Sequence, residues 1–98
     1  MSKEEHITQL SLFLLRVEEL LATSVEDCRG HNVDWKLFND FKKEMIDFLN
    51  TEIGKSHELT KEFLEVVTEN KKYKVIYARV ILKDLLQELK TGEKSQRA

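Results

Sequence analysis

The chain has 98 residues, 41% of them apolar and 35% charged, with 16 basic against 18 acidic side chains and a formal net charge of −2. A length near 100 gives one domain with one core, large enough to fold without metal or disulfide support. The near-neutral balance excludes a molecule-wide basic field that would draw in nucleic acid or anionic lipid, and a lone Cys28 excludes an intramolecular disulfide.

The first predicted helix starts at about Lys3, because Ser2 followed by Glu5 is the reciprocal capping box that satisfies open backbone N–H groups. Ile7, Leu10, Leu14, Val17, Leu21, Val25 and Cys28 keep a spacing of three or four, flanked by Phe13 and Leu20, so one face points at a core. The spacing carries this helix to about Arg29, where Gly30 offers the left-handed residue that closes a helix. Asn32 or Asp34 then caps a second helix whose face holds Trp35, Phe38, Phe41, Met45, Phe48, Leu49 and Ile53, closed by Gly54. Trp35, Phe38, Phe41 and Phe48 are expected to dominate the core, since aromatic rings bury large areas.

Ser56 is positioned to cap a third helix bearing Leu59, Phe63, Val66 and Val67. The segment Tyr73 to Leu89 reads as the central helix of the fold, with Val75, Ala78, Leu82, Leu85 and Leu89 on one stripe, widened by Ile81 and Leu86. No glycine or proline separates the third helix from this one, so a single continuous helix is permitted. The main stripe would however turn by roughly 85° between the two, which favours a break near Asn70. The fold class expected is all-α, an antiparallel bundle of four helices, or three if residues 57–90 are continuous. Residues 1–90 form the expected domain, and Thr91 to Ala98, opening on Gly92 as a stop, a disordered charged tail.

The short apolar run Leu10 to Leu15 follows Glu4, Glu5 and His6 rather than positive charge, so no export signal is expected. No run approaches the roughly 18 apolar residues of a membrane span, and a single cysteine suits a reducing compartment. The expectation is a cytoplasmic protein.

The chemical motifs are weak. Gly54-Lys55-Ser56 resembles the end of a phosphate-binding loop, but Leu49 stands where that loop needs its first glycine, and a helix precedes it. Cys28 and His31 have the spacing of a metal-ligand pair that His57 could join, yet a structural zinc site wants four ligands. With His6, His31 and His57 all near helix ends or connectors, no nucleophile and base can be paired, so neither catalysis nor a cofactor is expected. Asp27, Asp34, Glu44, Asp47 and Glu52 read as solvated faces of charged helices. Leu82-Lys83-Asp84-Leu85-Leu86 spells a groove-docking LxxLL string, but its leucines belong to the buried stripe. Nor does the single tryptophan form the Trp-x-Gly turn of small secreted helical hairpins, because Leu37 takes the place of the glycine.

A surplus of apolar side chains is the more informative feature. Leu12 and Leu15 lie off the main stripe of the first helix, and Tyr73, Ile76, Tyr77 and Val80 lie off that of the last. Such a second face either packs inside the fold or meets another protein or subunit. The function expected is therefore a non-enzymatic protein-protein interaction module or small regulator, a homodimer, anchored by Leu12, Leu15, Tyr73, Ile76, Tyr77 and Val80. The alternative is a nucleic-acid-binding regulator that uses Lys71, Lys72, Lys74 and Arg79 around Tyr73 and Tyr77.

Overall fold

In the computed structural model, which describes residues 2–28 and 30–92, four α-helices surround one core: α1 (Lys3–Ala22), α2 (Trp35–Phe48), α3 (Glu58–Val66) and α4 (Lys72–Thr91). Two short strands, β1 (Val25–Asp27) and β2 (Gly30–Asn32), form an antiparallel hairpin between α1 and α2, and a π-helical segment, Leu49–Gly54, prolongs α2. The helical bundle expected from the periodicity is the fold observed.

Helix α1 begins as its sequence dictates. Ser2 Oγ accepts from the Glu5 N–H at 3.2 Å, and the Glu5 carboxylate returns to the Ser2 N–H at 3.5 Å. The helix ends earlier than its apolar spacing implies, at Ala22 instead of near Arg29. Thr23 explains the stop: its hydroxyl donates to the Leu20 carbonyl at 2.6 Å, competing with the helical ladder, and accepts from the Asp34 N–H at 2.8 Å. Val25 and Cys28, expected in the core, are therefore exposed on the hairpin. Gly30, at φ 101°, serves that hairpin rather than a helix end. Asn32 pins it from within, donating through Nδ2 to Asp27 Oδ1 at 3.1 Å and to the Gly30 carbonyl at 3.3 Å.

Asp34 caps α2, accepting from the Leu37 N–H at 2.9 Å. Trp35 corrects another expectation: it is 68% exposed, and Val33, 3% exposed, takes the core position beside it. As the first residue of α2, Trp35 lies about 100° from the mean direction of Phe38, Phe41, Met45 and Phe48, and it walls a surface cleft with Asn39, Thr68 and Asn70. The rings that do fill the centre meet edge-on, Phe13 with Phe41 at 6.0 Å and with Phe48 at 5.6 Å, and Phe41 with Phe63 at 6.5 Å.

His57, not Ser56, caps α3: its Nδ1 accepts from the Leu59 N–H at 3.1 Å, while Nε2 donates to Glu88 Oε1 at 3.1 Å. The break between α3 and α4 falls where the change of wheel phase places it. There Asn70 and Val33 clamp each other, with the Val33 N–H on the Asn70 carbonyl at 2.9 Å and Asn70 Nδ2 on the Val33 carbonyl at 2.8 Å. Helix α4 runs through the expected segment, its stripe Val75, Ala78, Ile81, Leu82, Leu85 and Leu86 buried, and Gly92 closes it at φ 73°. Thr91 is thus helical, and the rest of the expected tail beyond Gly92 lies outside the described residues.

Helices α1 and α4 form the most extensive helix pair, side by side and antiparallel. Glu18, one turn from the end of α1, meets Arg79, two turns into α4, at 3.0 Å. At the far end, His6 near the start of α1 reaches Glu52 of the π-helical segment at 3.1 Å.

Candidate interaction surface

One side of the α1/α4 pair faces the core and the other faces outward. At 100° per residue, Leu15 lies about 180° from the mean direction of the buried Leu10, Phe13, Val17 and Leu20, with Leu12 on the same outer side. On α4, Val80, Tyr73 and Ile76 point away from the buried stripe in the same manner. Exposure agrees: Leu12 is 49%, Leu15 61%, Tyr73 66% and Val80 42% exposed, and Ile76 is half-buried.

Tyr77 does not belong with them. It packs against the core, and its hydroxyl donates to Glu62 of α3. Five of the six residues singled out by the sequence thus share the outer side, and the sixth turns toward α3.

Polar contacts divide and border this surface. The Arg79–Glu18 pair runs along the seam between the two helices. On the α2 side Arg16 binds Glu44 at 2.6 Å and stacks over the Phe13 and Phe41 rings at 5.9 and 5.7 Å. On the α3 side lies the Tyr77–Glu62 contact. Between these borders the exposed side chains include Leu12, Leu15 and Glu19 on α1 and Tyr73, Val80 and Lys83 on α4, interspersed with the exposed Thr8, Ser11, Ala22 and Gln87, and Ile76 is half-buried among them. The exposed apolar side chains thus flank a charged seam and are bordered by polar contacts.

The patch continues into a cleft of about 290 Å³ at the hairpin end, lined by Gly30, His31, Lys71, Lys72, Tyr73 and Ile76. A second cleft of about 270 Å³ lies on the other side of Lys71, walled by Trp35, Phe38 and Asn70. The exposed Trp35 was not legible as a surface residue, because on the helical wheel it stands at the edge of the same apolar face as Phe38, Phe41, Met45 and Phe48.

The other motifs are placed apart. Cys28 and His31 sit exposed on the hairpin, whereas His57 engages Glu88 some 17 residues, or about 25 Å, along α4 from Lys71. Among the described residues no group of three or more His, Cys, Asp or Glu is arranged to hold a metal. Leu82, Leu85 and Leu86 of the LxxLL string are buried. Of the basic residues, Lys74 binds Thr68 Oγ1 at 2.7 Å and Glu69 at 3.2 Å, and Arg79 binds Glu18. Lys74 and Arg79, two of the cations named for a nucleic-acid surface, are thus engaged within the chain. Among the described residues no helix is long and apolar enough to cross a membrane. The chain matches no protein-family model, and no curated protein or solved structure shows significant similarity to it.

Proposed function

We propose that the protein is a non-enzymatic protein-binding module that acts through the outer face of α1 and α4. The observation that carries this reading is the exposure of Leu12, Leu15, Tyr73 and Val80 on the outer side of two helices whose inner faces already supply a closed core. A helix needs only one apolar face to fold, and large side chains gathered on a second face lose free energy in water unless another surface covers them.

Binding here would come mainly from desolvating Leu15, Tyr73 and Val80, with the Glu18–Arg79 pair at the centre fixing register. Apolar association of this kind changes little with added salt, whereas binding led by Lys71 and Lys72 would weaken steeply. The test replaces Leu15 and Val80 with glutamate in the full chain and compares the proteins recovered with it from its own cell extract by cross-linking. A species cross-linked to the wild type and lost in the folded double variant fits the reading. Identical cross-linked products from both chains would remove it.

A further inference from the structure

The geometry points to a second site, apart from the outer face: the cleft of about 270 Å³ beside Trp35 binds a single neutral pyranose sugar, stacked on the indole and held by asparagine amides. Two pieces of chain make the cleft. The start of α2 supplies Trp35, Phe38 and Asn39, which stand three and four residues apart and so share one side of the helix. The segment between α3 and α4 runs alongside and supplies Asn70, fixed there by its paired hydrogen bonds with Val33.

The polar groups that line the cleft are held ready and not used up. Asn32 is 6% exposed, and its Nδ2 already donates to Asp27 Oδ1 and to the Gly30 carbonyl, which leaves Oδ1 an acceptor without a partner among the described residues. That oxygen is open, since the fully enclosed orphan atoms among the described residues are Asn50 Oδ1 and Thr60 Oγ1. Asn70 repeats the arrangement, with Nδ2 on the Val33 carbonyl and Oδ1 accepting nothing from the described chain. Two carbonyl oxygens whose orientation is set by their own amide donors are preformed acceptors, and they call for a ligand that brings donors. Asn39, half-buried and without a hydrogen bond among the described residues, adds a donor and an acceptor of its own.

Charge and shape narrow the class. The charged residues lining the cleft are Glu69 and Lys71, one of each sign, so neither an anion nor a cation is favoured. Phe38 gives an apolar floor and the exposed Trp35 an aromatic wall. An indole face carries the negative part of the ring quadrupole and attracts the weakly positive hydrogens of C–H groups. A pyranose answers both demands, because its axial C–H groups form an apolar face while its hydroxyls radiate from the ring edge as donors. The volume lies just below the usual range for drug-sized ligands, which suits one ring better than a longer molecule.

Trp35 is the only tryptophan in the chain, so its fluorescence reports on this cleft. The test titrates methyl α-glucoside, methyl α-mannoside, methyl β-galactoside and N-acetylglucosamine into the full chain, with adenosine and cytidine as flat neutral competitors. At least one sugar is expected to saturate the change in emission, with a dissociation constant on the order of 1 mM. Asn39→Ala keeps the reporter and should weaken that sugar roughly tenfold. Trp35→Ala, followed through the Asn39 side-chain amide by NMR, should lose it. Both positions lie outside the core, and circular dichroism checks that the helices remain. The Leu15→Glu/Val80→Glu chain should bind the sugar as wild type does, and a loss there would overturn the separation of the two sites. No saturation by any of the sugars at about 100 mM, or binding that survives both Asn39→Ala and Trp35→Ala unchanged, overturns the proposal. A nucleoside that saturates the signal where no sugar does overturns the sugar as ligand.

Discussion

The two sides of the α1/α4 pair are built from the same residue types and have opposite fates. On the inner side Leu10, Phe13, Val17, Val75, Ile81 and Leu82 are all within 1% of fully buried, while on the outer side Leu15 and Tyr73 remain more than 60% exposed. Apolar content alone therefore does not identify a core. What separates the sides is the presence of a facing element: α2 and α3 cover the inner stripe, whereas the outer stripe meets only its own polar borders at Arg16–Glu44 and Tyr77–Glu62. If this contrast is functional, inner substitutions should remove stability, and outer ones should remove association while leaving stability in place.

The largest effect should come from the inner side. Phe13→Ala deletes a ring that touches Phe41 and Phe48 and should cost about 3–5 kcal/mol, read from urea unfolding. Next is the clamp that ends α3 and starts α4: Asn70→Ala leaves the Val33 carbonyl without its side-chain donor and should cost about 1–3 kcal/mol. His57→Ala removes the α3 cap and the Glu88 contact together, for about 1 kcal/mol in the same assay.

A smaller, pH-dependent effect belongs to Glu52. The hydrogen bond from His6, opposed by partial burial, holds its carboxyl below the ordinary glutamate range. The folded state thus favours the charged form. Its contribution is complete above the ordinary value of about 4.3 and is lost as pH falls through the lower folded value. The difference in Tm between wild type and Glu52→Gln should accordingly be present at pH 6 and shrink below about pH 4. Smallest of all in stability is the outer pair: Leu15→Glu with Val80→Glu should change the unfolding free energy of the single chain by no more than about 0.5 kcal/mol.

Much of the inner side was legible in the sequence. The Ser2–Glu5 box, the stripe of α4, its closure at Gly92 and the break at Asn70 are each set by local chemistry or by wheel phase, and each falls where the residues indicate. The hairpin was not legible. Val25 and Cys28 continue the helical spacing past Leu21 by coincidence, while the residue that stops the helix, Thr23, acts through a bond to Asp34 eleven positions away. Trp35 misled for a related reason. Tryptophan near an apolar stripe ordinarily means core, but at the start of α2 Val33 and Phe38 take the core positions and leave Trp35 at the edge of the stripe.

The outer face was half legible. Periodicity located Leu12, Leu15, Tyr73, Ile76 and Val80, but it grouped Tyr77 with them. A stripe drawn on one helix does not know that α3 stands on the Tyr77 side with Glu62 waiting for the hydroxyl.

The central claim, that one pair of helices folds with its inner side and binds with its outer side, is tested most directly by cross-linking the Leu15→Glu/Val80→Glu chain and wild type in their own cell extract, with helix content recorded on the same purified chains. The account predicts full helix content in both, and a cross-linked species on wild type that the variant lacks. A variant that loses its helices, or one cross-linked to the same species as wild type, would contradict it.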